Sequence, residues 1–296
     1  MASSTANETG IRSSELILNP DGSVYHLKLH PEQLADTVLL VGDPGRVAEV
    51  SRYFDHIEFQ VSNREFITHT GSIGNKRISC ISTGIGTDNI DIVLNEVDAL
   101  VNIDLDHRTP KDLHHKLQLI RIGTTGSLQE EIPVDAFVQS RWAIGLDSLL
   151  NWYAYPKNPD QMRLEQEFVA YAGFKDGLAF PYAFKAGESL ADTFNHFSHQ
   201  GITLTAPGFY APQGRKLRLN PLLPDLNEHL PGFSFEKWKV ANFEMETSGL
   251  YGLSSLLGHD AVTLCAVIAN RPLGEYSQNP HEAVDQLIKK VLESLS

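Results

Sequence analysis

The sequence predicts an α/β fold: a single domain with a central, mostly parallel or mixed twisted sheet covered by helices on both faces. Three observations point there. Short runs of apolar residues read as strands buried on both sides. Amphipathic helical stretches alternate with those runs. Glycine-bearing turns stand where the strands run out, at Val41-Gly42-Asp43-Pro44-Gly45-Arg46, Thr83-Gly84-Ile85-Gly86-Thr87 and Arg121-Ile122-Gly123-Thr124-Thr125-Gly126.

The elements follow in order. Thr37 to Val41 reads as a buried parallel strand, and Asp43-Pro44 then forms a helix-start signature with proline at the first helical position. Val47, Val50, Tyr53 and Phe54 continue that helix. A second unit repeats the plan: a strand at Arg77–Ser82, the second glycine turn, and a helix from about Asn89 to Val101 with Ile90, Val93, Leu94 and Val97 on one stripe. Asp88 is the expected N-cap of that helix. Asn102 to Lys116, polar and rich in Asp and His, reads as a surface insertion. The third strand, Leu117–Ile122, leads into the third glycine turn. Val134–Gly145 offers further strand material and Gln161–Ala172 a helix, whereas Leu204–Arg218 is irregular, marked by Pro207, Gly208, Pro212 and Gly214. Helical spacing resumes over Glu244–Leu257, Ala261–Ala269 is a nearly all-apolar strand, and His281–Leu295 is a closing amphipathic helix. No repeat or linker divides residues 21–296, so one domain is expected there, preceded by a polar, disordered arm over residues 1–20.

Composition narrows the function. The chain has 296 residues, 42% of them hydrophobic, and a formal net charge of −13. That balance argues against nucleic-acid backbones and anionic membrane surfaces, which would repel it. Cys80 and Cys265, distant and inside apolar runs, suit a reducing cytoplasm. His114-His115 is the only adjacent histidine pair among twelve histidines and has no clear third ligand, so no metal is expected. An acidic chain that keeps Arg46 and Arg121 at glycine turns is expected to read a small oxyanion, phosphate first, because glycine permits close backbone approach and a helix N-terminus offers unpaired N–H groups. Surface ion pairing remains the plainer account of each arginine taken alone.

Seven motifs in order carry a family resemblance: Tyr25-His26-Leu27, Gly42-Asp43-Pro44-Gly45-Arg46, Ser62-Asn63-Arg64-Glu65-Phe66, Arg121-Ile122-Gly123-Thr124-Thr125-Gly126, Phe209-Tyr210-Ala211-Pro212-Gln213-Gly214-Arg215, Asn242-Phe243-Glu244-Met245-Glu246 and Val267-Ile268-Ala269-Asn270-Arg271. Over residues 22–295 the chain resembles the nucleoside phosphorylases of the hexameric type, most closely the uridine phosphorylases. The resemblance implies a phosphate site of Gly42, Arg46, Arg121 and Thr124, with Arg64 reaching in from a neighbouring subunit. It implies a ribose site of Glu246, Met245 and Thr124, with His26 donated across a dimer interface to the 5′-hydroxyl. It implies a base site of Phe209, Gln213 and Arg215 with Thr125, Gly126 and Arg271. Arg121, Glu246, Arg215 and Gln213 are the residues expected to carry catalysis. Purine-specific relatives bear an aspartate near Asn270; its absence here favours a pyrimidine.

The residues themselves permit other readings: two carboxylates at Glu244 and Glu246 also suit a helix first turn, and Lys216 and Arg218 extend a basic surface loop. The implied reaction is reversible phosphorolysis of uridine to uracil and ribose 1-phosphate, a pentosyl transfer with phosphate as co-substrate, no cofactor, and a dimer-based homohexamer that shares its sites. Thymidine, deoxyuridine or purine specificity, a water-using nucleosidase, and a nucleoside-binding protein are the alternatives.

Overall fold

The computed structural model describes residues 10–174 and 177–295. Residues 1–9 of the expected arm lie outside the described residues. Within 10–20 the chain is tied to the body: the Ile11 N–H donates to Arg108 O at 2.7 Å, and Leu18 bridges Val24 and packs against the core.

In chain order the structure runs β1 (Thr37–Val41), α1 (Pro44–Ser51), β2 (His56–Asn63), β3 (Phe66–Ile73), β4 (Lys76–Ser82) and α2 (Thr87–Asn102). A small hairpin of β5 (Ile103–Asp104) and β6 (Thr109–Pro110) fills the expected insertion, followed by β7 (Gln118–Ser127), β8 (Phe137–Gly145) and α3 (Pro159–Ala172). Then come β9 (Tyr182–Lys185), α4 (Glu188–Thr193), β10 (His199–Thr205), α5 (Leu226–His229), β11 (Ser234–Phe235) and β12 (Trp238–Glu244). The chain closes with α6 (Thr247–Leu256), β13 (Asp260–Asn270), β14 (Glu275–Tyr276) and α7 (Pro280–Leu295).

One mixed sheet carries the fold, in the order β11-β12-β10-β8-β13-β7-β1-β4-β3-β2. Pairings β1–β4, β1–β7, β7–β13, β8–β10 and β10–β12 are parallel. The sheet also folds back: β12 pairs antiparallel with the end of β7, Asn242 against Ser127 and Phe243 against Gly126. Strands β7, β13, β8, β10 and β12 therefore form a closed ring, and β1, β4, β3 and β2 extend from it as an open wing.

Helices cover both faces, as the sequence predicts, and the alternation along β1 shows how. Val38 and Leu40 meet α2 and α6 through Ile90, Val93, Leu94, Val97 and Leu250. Leu39 and Val41 turn the other way, onto Val47 and Val50 of α1 and Leu287, Ile288 and Val291 of α7. A third cluster seats α3, through Leu164 and Phe168, against Trp142, Ile202 and Leu204 of the ring. Among the described residues no helix is long and apolar enough to cross a membrane.

Three local expectations need correction. Asn242–Glu246 does not open a helix: Asn242, Phe243 and Glu244 end β12, and Glu246 is the N-cap of α6. Asp88 does not cap α2; the helix already starts at Thr87, its N-cap is Gly86 with φ +96°, and Asp88 is an exposed residue of the first turn. The irregular stretch expected from Leu204 starts two residues later, because Leu204 and Thr205 end β10.

Leu287 is fully buried between α7 and the sheet. Leu287→Ala should lower unfolding free energy by about 2–5 kcal/mol, read by chemical denaturation, because the rigid sheet beneath cannot close the cavity. A loss under about 1 kcal/mol would mean that α7 packs loosely.

Candidate active site

The carboxyl ends of β1, β4, β7 and β12 and the bulged end of β13 surround a cleft of about 830 Å³. Ligand sites of open α/β sheets lie at such strand ends. Gly42, Arg46, Arg121, Thr124, Thr125, Gly126, Phe209, Gln213, Arg215, Met245 and Glu246, singled out in the sequence, all line it.

At the end of β1, Asp43 accepts the Gly45 N–H at 2.8 Å and caps α1, with Pro44 in the first helical position. That start places Arg46 in the first turn, where its Nη1 donates to Ile122 O at 3.3 Å. Burial, then the nearby charge of Arg121, pushes the Arg46 pKa below the usual range.

Arg121 stands mid-way along β7 and is 4% exposed. Gly123 makes room for it, since a Cβ there would lie 1.9 Å from Arg121 Nη1 and 2.9 Å from Cys265 Sγ. The guanidinium pairs with Glu246 Oε2 through Nη2 and with Glu244 Oε2 through Nη1 at 3.6 Å, while its Nε has no partner. Burial alone lowers its pKa, but Glu246 and Glu244 more than offset this and the net shift is upward.

The two carboxylates do different work. Glu244 is consumed by structure: it accepts from Thr205 Oγ1 at 2.6 Å, from Glu246 N at 2.9 Å and from Thr247 N at 2.9 Å, holding the start of α6. Glu246 has fewer ties. Its Oε1 accepts the Gly86 N–H at 2.9 Å and its Oε2 meets Arg121. Two anions, the buried Arg121 and the half-buried Arg46 thus meet at one mouth, a balance that an incoming anion shifts toward negative.

Across the cleft, Gly214 takes a φ of +70°, which lets Gln213 and Arg215 converge from either side of it. Arg215 Nη1 donates to Gln213 Oε1 and to Phe209 O, each at 2.6 Å, and its guanidinium lies 3.8 Å from the Phe209 ring centre. Because Gln213 already accepts from Arg215, its amide Nε2 is oriented as the remaining donor. Half of Phe209 is exposed, an apolar plate on one wall of the cleft.

Two predicted base-site residues, Arg271 and Thr125, are placed otherwise. Arg271 does not line the cleft: it packs behind Gly126, where an added Cβ would lie 3.2 Å from Arg271 Cδ. Burial, then Arg215, lowers its pKa to about 10, and its Nη1 has no partner. His26 and Arg64, expected to serve a neighbouring subunit's site, do not line their own chain's cleft. Thr125 lines it, but its hydroxyl serves the seam, donating to Phe243 O at 2.6 Å and accepting from Asn242 Nδ2 at 2.7 Å.

Sequence reasoning missed Glu65, Asn89, Ile268 and Tyr276, which also line the cleft. Ile268 reaches it through a bulge: Val267 pairs with Thr125 and Ala269 with Gly126, leaving one extra residue between them. Only that one-residue mismatch in the ladder could have marked it.

Among the described residues, Asp98, His114 and His259 are the one group of metal-type donors that comes together. The Leu117 N–H donates to His259 Nδ1 at 3.2 Å, so the ring proton sits on Nε2, the nitrogen 3.2 Å from Asp98 Oδ1. A proton there occupies the lone pair a metal would need, and the donor set does not fit one.

A family model described as the phosphorylase superfamily matches residues 36–296. A uridine phosphorylase of Thermococcus kodakarensis is 31% identical over 272 residues, covering 90% of this chain and 84% of the relative. A DeoD-type purine nucleoside phosphorylase of Colwellia psychrerythraea is 24% identical over 274 residues, covering 91% and 98%. The crystal structure of a Trypanosoma brucei nucleoside phosphorylase, described as showing uridine phosphorylase activity, superposes with a TM-score of 0.86 at 30% identity, covering 95% of this chain and 99% of that one.

Removing Arg121 leaves two buried carboxylates without their cation. Arg121→Met should cost about 3–5 kcal/mol of stability near neutral pH. Burial first, and then Glu246, pushes the Glu244 pKa above its ordinary 4.5, while Arg121 holds it down. A folded value above the unfolded one gives stability that is fully present below about pH 4.5 and lost as pH rises through the folded value. Without Arg121 that value climbs further, so the deficit of Arg121→Met should be smaller at about pH 5 than at about pH 7.5. Equal deficits in denaturant melts at the two pH values would refute the coupling.

Proposed function

The chain belongs to the phosphorylase superfamily, and from that premise we propose that it catalyses the reversible phosphorolysis of a pyrimidine nucleoside, uridine and phosphate giving uracil and ribose 1-phosphate. One observation carries the reading. Arg46, in the first turn of α1, and Arg121, on β7, meet beside Gly42 and Thr124 at one end of a cleft whose other end holds the Gln213–Arg215–Phe209 cluster. An inorganic anion and a planar base thereby fit within one cavity with room for a sugar between them.

In this scheme, guanidinium forks and the backbone at Gly42 hold phosphate, with the Thr124 hydroxyl completing its shell. Glu246 accepts the ribose 2′- and 3′-hydroxyls and Met245 packs on the sugar face. Phosphate takes a share of Arg121, which frees Glu246 Oε2 for the sugar. Phe209 stacks on the base; Gln213 and Arg215 read its imide edge. The C1′–N1 bond lengthens first and its electron pair goes to uracil, which Arg215 stabilises as an anion. A phosphate oxygen then bonds to C1′ on the cationic sugar. Positioning and fixed charge carry the catalysis, and no resident cofactor or covalent enzyme intermediate is needed.

Several features belong to the same proposal. Arg271 supports the base wall from behind Gly126. Residues 21–296 act as one phosphorylase domain, with residues 1–20 as an N-terminal segment. His26 and Arg64 act in a second copy's cleft, within a dimer-based homohexamer. The buried thiols of Cys80 and Cys265, both with pKa values raised by burial, suit a reducing cytoplasm.

Release of uracil from uridine should require phosphate, with thymidine and inosine turned over more slowly. Release in phosphate-free buffer at an undiminished rate would point to a nucleosidase. Arg121→Ala should lower kcat/KM by at least about 100-fold. Gln213→Ala should raise the KM for uridine by about tenfold while barely changing that for phosphate, the loss of one hydrogen bond to the base.

A further inference from the structure

His26 and Arg64 lie together, away from their own cleft, in a cluster organised by one carboxylate. Glu96, on α2, accepts from the His26 backbone N–H at 2.8 and 3.0 Å, from the Leu27 N–H at 2.8 Å and from His26 Nδ1 at 2.7 Å. Its side chain is only 13% exposed. Asn63, the last residue of β2, donates its Nδ2–H to His26 O at 2.8 Å. The next residue, Arg64, sits at the tip of the β2–β3 hairpin with a φ of +54°, a conformation that favours glycine. Its guanidinium lies 5.6 Å from the Tyr25 ring centre, and Tyr25 meets the His26 ring edge-on at 4.8 Å. On the other side of the same tip, Glu65 lines the chain's own cleft.

A hairpin tip with Glu65 in its own cleft and Arg64 outside it leaves Arg64 available to a second copy related by a two-fold axis beside the tip.

We infer that Glu96 is a positioning residue for the neighbouring subunit's site: it fixes the segment Tyr25-His26-Leu27, sets the His26 tautomer, and so presents His26 to the nucleoside bound by a second copy. This rests on the phosphorylase reading above. The Nδ1–H donates to the carboxylate, so Nε2 is left as the acceptor for the 5′-hydroxyl of the bound nucleoside. A carboxylate satisfies three backbone and ring donors at once. A carboxamide presents one acceptor and one donor in its place, and the donor end faces N–H groups.

The test compares uridine with 5′-deoxyuridine, which lacks only the hydroxyl His26 would bind. Glu96→Gln should lower kcat/KM for uridine by about tenfold, mainly through KM, and leave 5′-deoxyuridine nearly unchanged. His26→Ala should erase the same preference, and the double variant should be no worse than His26→Ala alone. Equal losses on both substrates, an unaltered uridine value, or additive losses in the double variant would each overturn the role of Glu96. Wild-type protein that fails to release uracil in phosphate buffer would instead remove the underlying reading. A wild-type enzyme that treats the two nucleosides alike would remove the His26 assignment on which Glu96 depends.

Discussion

The site depends on a buried ionic knot in which Arg121 of β7 faces Glu244 at the end of β12 and Glu246 at the start of α6. Burying three charges is costly, and a buried ion pair is rarely the most stable filling for its volume. Its value here lies in placement. Glu244 ties the α6 N-terminus to β10 through Thr205, and Glu246 reaches across to the Gly86 N–H at the start of α2. Two strands and two helix starts are thus registered on one guanidinium, which is held rigid for an incoming anion.

The closed ring explains why the knot sits where it does. Antiparallel pairing of β12 with the end of β7 occurs only at Gly126–Ser127 and Phe243–Asn242, one turn of chain before Glu246. Thr125 and Asn242 lock that seam with hydroxyl and amide hydrogen bonds. Polar groups that face water in an open sheet are spent internally here, and the cleft opens just beyond them.

Much of this was legible in the sequence. The apolar runs at Thr37–Val41 and Asp260–Asn270 are buried on both faces, so their composition alone marks them as strands. The glycine turns fall at the cleft because only short side chains leave room for Arg121 and Arg271. The edge hairpin of β2 and β3 escaped, since residues 56–63 alternate between exposed and half-buried positions and carry little apolar signal. Asn242–Glu246 was misread because acidic residues favour helix starts, while here Glu244 caps α6 from the preceding strand. Likewise Gly86, not Asp88, is the N-cap of α2, and its N–H is satisfied by Glu246 from a distance of 160 residues in sequence. Long-range partners of this kind leave no local trace.

The bulge at Ile268 has a bearing on how the protein can change. Since the additional residue is absorbed between two intact pairings, Val267 with Thr125 and Ala269 with Gly126, its side chain is uncoupled from the ladder on either side. Mutational drift at that single position can reshape the cavity wall without disturbing strand register. Diversification of ligand preference is thereby separated from the requirement to keep folding.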